Sequence, residues 1–392
     1  MSNNIFFAIQ RTLKRELKRM VSRPIYLLGS VGVMAFCYIF FLSFMNEGQP
    51  QKMPIAVVDL DNSSFSRQFV RNLQTTQHVN IVEHIFTFKE AREQMQRGEI
   101  YAFVFIEHDF YKKLATNRRP NMTFYVNNAF LVAGSLSAKD ISYMCLITAG
   151  GIQRQVLRAK GVADSQIVGI VQPIAVDMHS IGNPWINYGT YLLNVLLPTM
   201  LHLMTLMLTA FCIGVELKER TSKEWLENAD NSMFAGLVGK LLPYTFIFII
   251  LGIIGNLLLY KFMHFPLNSS IGWMFLATCL LVLSGQALGI FFIGLLPVLR
   301  DGITVAGIFG TLSVTAAGAT FPVEQLPYFI RELTLAFPMR HYFLIYVNQA
   351  LNGVDVSHSL TKFIILLSFN LLPLFVYRRL KSAAINMNYP TK

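Results

Sequence analysis

The sequence predicts a polytopic α-helical membrane protein with six transmembrane helices and a small α/β extracytoplasmic domain inserted between spans one and two. Six apolar stretches, nearly free of Asp, Glu, Lys and Arg, support the membrane part. Each has about 19 to 28 residues, enough to cross a hydrocarbon core about 30 Å thick at about 1.5 Å per residue. A segment in lipid must satisfy its own backbone, so helices are expected. The predicted spans are Ile25–Met45, Tyr188–Gly214, Met233–Tyr260, Ile271–Leu296, Gly302–Phe321 and Ser359–Tyr377.

Composition and charge agree with a membrane protein. Only 14% of the 392 residues are charged and 53% are hydrophobic, whereas a soluble chain carries about a quarter charged residues. The net charge of +11 lies mainly at the ends: the arm before Pro24 has +5 and the tail after Tyr377 has +4, against +2 for the insert Asn46–Trp185. Basic flanks mark the cytoplasmic side, which predicts that both termini are inside. A nucleic-acid partner is not expected.

The N-terminal arm, residues 1–24, is predicted to form an amphipathic helix over Ile5–Val21. Its apolar residues recur every fourth position, and basic residues occupy the other face. This pattern favours a helix in the inner headgroup layer with its basic side toward anionic lipid; the alternative is an ordinary solvated juxtamembrane helix. The basic residues are Arg11, Lys14, Arg15, Lys18 and Arg19.

The insert, residues 46–186, alternates short strands with helices of about ten residues, which predicts a substantially parallel sheet. Thr87 and Glu90 form a capping box that opens one helix. The predicted strands are Met53–Val58, Val79–Glu83, Tyr101–Ile106 and Met122–Val126; the predicted helices are Phe65–Gln74, a helix ending at Gly98, His108–Thr116 and Ala129–Lys160.

The remainder of the chain, residues 187–377, holds spans two to six. A charged inner loop, Glu216–Ser232, follows span two, and Leu299–Asp301 makes a tight inner turn. Residues 320–352 are semi-apolar and broken by three prolines, which predicts an outer-leaflet helical hairpin with re-entrant character. A cytoplasmic tail, residues 378–392, ends the chain.

Motifs for chemistry within the chain are missing. The nearest approach to a phosphate-binding loop, Gly236–Lys240, has the wrong spacing, so the chain is not expected to bind ATP. Glu107–Asp109 and Asp59–Asn62 stand at strand ends, where caps are commoner than metal ligands, and neither a metal nor a cofactor is predicted. The polar residues inferred within the spans are Asn194, His202, Asn256, Gln286 and Asn370. Without intramembrane carboxylates, the energy source is expected on another polypeptide.

The inner loop combines charged residues with Trp225 and Leu226, which fits a short helix offered to a cytosolic partner. An exposed tryptophan would act as the aromatic anchor of that interface. The candidate coupling residues are Glu216, Lys218, Glu219, Arg220, Thr221, Lys223, Glu224, Trp225 and Leu226.

The basic arm, the large outer insert and this loop together resemble the type-2 permeases of ABC transporters. In that family a Gly-Thr pair commonly follows the charged run, and here Arg220-Thr221 lacks the glycine. The stretch Ala317–Pro327, followed by Phe337-Pro338 and Gly353, is similar to the family's proline-containing segment before the last span. The resemblance covers the whole chain.

The resemblance implies a half-transporter in which two copies of the permease bind two cytosolic ABC ATPase subunits, with ATP and Mg bound on those partners. The arm and the loop would rest on the ATPase, and spans two and five would line the path. It further implies multidrug or lipid efflux across a bacterial inner membrane, with lipids and a periplasmic adaptor as further partners. The open alternatives are an ion-coupled secondary transporter and a membrane-anchored receptor. The candidate path residues are Asn194, His202, Thr311 and Thr315.

Overall fold

A computed structural model describes residues 5–116, 118–179, 181–184 and 186–386. The chain divides into an insert unit, Gln49–His179, and a membrane unit formed by Met1–Gly48 and Ser180–Lys392. Predictions that fall on residues 1–4, on Trp185 or on residues 387–392, including the tail charge Lys392, lie outside the described residues.

The membrane unit is helical, and five helices in the described part of the chain are long and apolar enough to cross a membrane. The prediction of a polytopic helical protein is therefore confirmed. We name these helices span one to span four and the last span. They are Pro24–Phe44, Tyr188–Lys218, Met233–Phe262, Ile271–Leu295 and Ser357–Asn386.

The predicted fifth span is a helix over Leu299–Ala316, here called the fifth helix. It begins in the predicted inner turn, so Arg300 and Asp301 lie in its first turn, and Gly, Thr and Ser recur along it. These polar and small residues lower its apolarity below that of the other spans, and the six-span count stays a prediction. The predicted outer hairpin contains Val323–Gln325, Tyr328–Thr334, Pro338–Tyr346 and Val347–Leu351.

The arm helix, Ile5–Ser22, presents three different faces. Ala8, Thr12, Glu16 and Met20, four residues apart, form its buried row. This row packs on span three, where a Cβ on Gly239 would lie 2.7 Å from the carbonyl oxygen of Ile9. The apolar row of the sequence prediction lies elsewhere: Ile5, Leu17 and Val21 are exposed. Its insertion into headgroups stays a prediction.

The insert unit contains one four-stranded sheet in the order β2-β1-β3-β4. Strand β1 pairs in parallel with β2 and β3, while β4 runs antiparallel to β3. Alternate residues of the central strand enter two different apolar clusters, Ile55 and Val57 in one and Ala56 and Val58 in the other. The sheet is thus covered on both faces, as expected for parallel strands. The strands are β1 Met53–Asp59, β2 Val79–His84, β3 Ala102–Ile106 and β4 Met122–Val126.

Two helices of the insert unit begin at polar caps. The Ser63 side chain accepts a hydrogen bond from the Ser66 amide at 3.1 Å, and the Thr87 side chain accepts one from the Glu90 amide at 3.3 Å. Such caps satisfy amides that lack partners in the first turn. The insert helices are Ser64–Gln74, Phe88–Arg97, Phe110–Ala115, Leu131–Ala159 and Asp164–Val171.

Candidate functional site

The inner loop is shaped by a sharp turn between span two, which ends at Lys218, and a short loop helix over Ser222–Asn228. Arg220 carries the turn with a φ of 58°, and the amide of Thr221 donates to the carbonyl oxygen of Glu216 at 3.0 Å. That left-handed conformation favours glycine, which has no Cβ. Arg220 therefore adopts a backbone conformation that a glycine would adopt with less strain.

A row of arginines on the arm helix faces the carboxylates of this loop. Arg11, Arg15 and Arg19 are four residues apart on the arm helix and so share one face, and Arg23 follows directly after the helix ends at Ser22. Their guanidinium groups form ion pairs with the loop and the end of span two, whereas Lys14 and Lys18 stay exposed. The pairs are Arg11 with Asp230, Arg15 with Glu216 and Glu224, Arg19 with Glu216 and Glu219, and Arg23 with Glu219.

Behind the arginine row lies a buried ionic cluster of Glu16, Glu216, Lys240 and Tyr244, each at most 1% exposed. The Lys240 ammonium donates to Glu16 Oε2 at 2.6 Å and to Glu216 Oε1 at 2.9 Å. The Tyr244 hydroxyl donates to Glu16 Oε1 at 2.8 Å. The Thr221 hydroxyl also donates to Glu216. The cluster therefore joins the arm helix, the C-terminal end of span two and the N-terminal part of span three.

The sequence inventory of polar groups within the spans missed Lys240, which lies inside the predicted span Met233–Tyr260. A single lysine in an apolar helix could have indicated a buried ion pair, because charges in such helices are rare and are usually paired. The acidic partner was equally visible as Glu16, the one acid among six basic residues of the arm. Their pairing could not be read, because the two residues are far apart in the chain.

The carboxylates of the loop favour full charge on Arg15 and Arg19. Burial alone would lower the pKa of Arg15, but hydrogen bonds to Glu216 and Glu224 and their negative charges outweigh burial and raise it. The pKa of Arg19 is raised in the same way, with Glu216 the main opposing influence to burial. Removing one partner from such a buried set leaves an uncompensated charge, which costs about 3–5 kcal/mol.

The prediction that Trp225 and Leu226 are exposed partner contacts is wrong. Trp225 is 0% exposed and Leu226 is 1% exposed. The Trp225 indole N–H donates to the carbonyl oxygen of Gly236 at 3.1 Å, and Lys240 lies 5.6 Å from the centre of its ring. The loop helix is amphipathic, so its two largest apolar residues turn inward onto span three.

The outward face of the loop consists of charged residues instead. Lys218, Arg220, Lys223 and Glu227 are exposed, and none of them forms an ion pair within the described part of the chain. Glu219 and Glu224 are also exposed but are held by the arginine row. The surface available to another protein is therefore polar and mostly basic.

The four candidate path residues divide into two pairs. Asn194 and His202 are buried between helices, with the Asn194 amide donating to the carbonyl oxygen of Thr190 at 2.9 Å and His202 Nδ1 lying 3.4 Å from the carbonyl oxygen of Leu281. Thr311 and Thr315 lie on the exposed face of the fifth helix. The structure therefore places the first pair in helix packing and the second on an exposed surface.

Comparison with known families identifies the family of the chain. A family model described as "ABC-2 family transporter protein" matches residues 24–376, from the start of span one into the last span. A search of curated proteins found no match. Members of this family are typically the non-catalytic membrane subunits of ABC transporters and associate with a cytosolic ABC ATPase. Since the match covers nearly the whole chain, this protein belongs to the ABC-2 transporter family and is an ABC-2 type permease.

Proposed function

We propose that the chain is the permease subunit of an ATP-driven exporter that moves a drug, a lipid or another amphiphile out of the cytoplasm or the inner leaflet. Two copies would work with two ATPase subunits, which would bind ATP and Mg and carry out hydrolysis. The proposed location is the bacterial inner membrane with both termini inside, and a periplasmic adaptor is a further proposed partner. The observation that carries the proposal is the buried ionic cluster of Glu16, Glu216 and Lys240.

The cluster gives the inner loop a means of moving the spans. Glu216 belongs to span two and Lys240 to span three, and both are hydrogen-bonded within a set that includes Glu16 of the arm. A force applied to the loop helix would therefore displace the arm and both spans together. An interface held only by exposed side chains would transmit less of this force to the spans, because exposed ion pairs contribute about 0–1 kcal/mol each.

We assign ATPase docking to the outward loop face, Lys218, Arg220, Lys223 and Glu227, in place of Trp225 and Leu226. The buried tryptophan would support this face from below by fixing the loop helix on span three. Electrostatic complementarity mainly sets orientation and association rate, so an acidic groove on the ATPase is the expected counterpart. The path would run beside the exposed face of the fifth helix, against the second copy.

The test is charge reversal on the docking face, with the variant Lys218→Glu/Lys223→Glu. The ATPase that co-purifies with wild-type permease would be identified by its nucleotide-binding motif and quantified by ATP hydrolysis per permease. We expect the double variant to lose most of that activity while keeping its expression and melting temperature. Arg300→Glu is the matched control, since Arg300 is an exposed cation in the other predicted inner turn.

Two results would contradict the proposal. Equal ATPase recovery with the double variant and with Arg300→Glu would remove the docking role of the loop face. Wild-type permease that transports in membranes lacking any ATPase would instead support the ion-coupled alternative.

A further inference from the structure

The insert unit contains a groove whose chemistry the proposed transport function does not use. It has a volume of about 580 Å³ and lies between the short helix Phe110–Ala115, strand β4 and the long helix Leu131–Ala159. This volume falls within the roughly 300–1,000 Å³ of ligand sites in proteins. Every residue that lines it belongs to the insert unit.

The floor of the groove is apolar. Phe69 and Phe110 form its buried base, at 2% and 6% exposure, and Met122, Cys145 and Ile152 continue it while remaining partly exposed. Cys145 Sγ lies 3.6 Å from Met122 Sδ, so the two sulfur atoms sit side by side in the lining. A concave apolar surface of this kind favours a hydrocarbon chain over water.

The rim of the groove is cationic. Arg118, Arg119 and Lys160 line it and are exposed, and among the described residues none of the three forms an ion pair. Two neighbouring cations are neutralised: Arg158 pairs with Asp164 at 2.7 Å, and Lys113 pairs with Glu107 at 2.6 Å. The mouth of the groove therefore carries three positive charges without an ionic partner among the described residues.

We propose that this groove binds a single-chain anionic amphiphile, with its hydrocarbon tail on the apolar floor and its acidic head group at Arg118, Arg119 and Lys160. The juxtaposition of an apolar cavity with unpaired cations at its mouth matches a molecule that has one apolar and one anionic end. Charge complementarity selects such a ligand against a cationic or neutral amphiphile of the same length. This assignment does not depend on transport or on an ATPase.

Cys145 provides the readout. The full-length chain would carry Cys37→Ala, Cys212→Ala and Cys279→Ala, leaving Cys145 as its one thiol, and would be placed in nanodiscs of zwitterionic phosphatidylcholine. Burial raises the pKa of Cys145, so maleimide labelling is followed at mildly alkaline pH, where more thiolate is present. Dodecanoate should slow the labelling of Cys145 in a saturable way, and dodecyltrimethylammonium, with the same chain length and opposite charge, should protect much less.

Charge reversal at the rim separates head-group recognition from simple partition of a tail. In the variant Arg118→Glu/Arg119→Glu, the dodecanoate concentration for half protection should rise about tenfold, since two favourable exposed charges become unfavourable. Protection by dodecyltrimethylammonium should increase in the same variant. The control Lys89→Glu/Arg92→Glu reverses two exposed cations outside the groove lining. In this control, dodecanoate should protect Cys145 at the same concentration as in the chain with an unchanged rim.

Three outcomes would overturn the proposal. Absence of protection by dodecanoate would show that the groove does not hold it, and equal protection by the two amphiphiles would show that the rim does not select the charge. Disulfide cross-linking of Cys145 between two copies without added amphiphile would show that a second copy covers the groove.

Discussion

Glu216 shows how one side chain can define a junction. Its carboxylate accepts hydrogen bonds from Arg15 at 2.7 and 3.1 Å and from Lys240 at 2.9 Å. A buried carboxylate without such partners would be strongly destabilising. The partners come from the arm and from span three, so Glu216 can be buried only when both elements are docked on span two.

For single residues, the sequence showed which side chains belong to the functional loop, but not which of them are buried. The loop was expected to matter because its charges surround Trp225, and the charges do contact the arm. The prediction that Trp225 is exposed was wrong, since a seven-residue helix is too short for its hydrophobic pattern to reveal which face is buried. A tryptophan beside charges is as compatible with a core residue under a polar rim as with an exposed anchor.

Trp225→Ala is expected to lower the free energy of unfolding by about 3–5 kcal/mol, because it leaves a large cavity on span three. Trp225→Phe should cost less, since it keeps a ring and loses mainly the hydrogen bond to Gly236. The melting temperature of the purified chain measures both effects. If Trp225→Ala melts like the wild type and only loses its ATPase, the side chain is a docking contact after all.

At the scale of elements, helix and strand positions followed closely from the sequence. Strand β4 has the predicted bounds, and the long insert helix, Leu131–Ala159, was expected over Ala129–Lys160. The partner of each element was not readable, because contacts between helices depend on shape. The arm illustrates this: the row that packs is Ala8, Thr12, Glu16 and Met20, whereas Ile5, Leu17 and Val21 of the apolar row are exposed.

The size of a side chain matters most where two helices pack closely. Gly289 of span four faces span two, and a Cβ placed there would lie 2.7 Å from Thr209 Cβ and 2.8 Å from the carbonyl oxygen of Leu206. Backbone atoms cannot move aside as a flexible side chain can. Small residues at such crossings let membrane helices approach each other closely.

Gly289→Ala is therefore expected to destabilise the membrane unit by about 1–3 kcal/mol through overpacking. Gly307→Ala is the matched control, because Gly307 also faces span two but a Cβ there would meet only Met207, at 3.8 Å. It should be neutral or slightly stabilising. Thermal melting in the same detergent compares the pair, and equal melting temperatures would show that spans two and four are packed less tightly than described.

At the scale of the whole molecule, charge and hydropathy define how the chain crosses the membrane. The +5 arm and the +4 tail flank an insert of only +2, so the positive-inside rule predicts that both termini lie inside. The fifth helix is the crossing that an experiment has to test. It has the exposed Arg300 in its first turn and precedes the hairpin helix Tyr328–Thr334. Its 18 residues span about 27 Å at about 1.5 Å per residue, close to the thickness of a hydrocarbon core.

The six-span topology makes one prediction for four exposed positions. In a cysteine-free chain, single cysteines at Ser135 and Tyr328 should react with an impermeant maleimide added outside, and those at Lys223 and Arg300 only after permeabilisation. All four side chains are exposed, so the side of the membrane decides whether each cysteine reacts. Ser222 would be unsuitable, because its side chain is buried and donates to the carbonyl oxygen of Ala384 at 2.8 Å.

If the cysteine at Tyr328 reacts from the same side as that at Arg300, the fifth helix does not cross the membrane. The last span would then have to begin inside, and its basic end after Tyr377 would lie outside, against the charge rule that orients the rest of the chain.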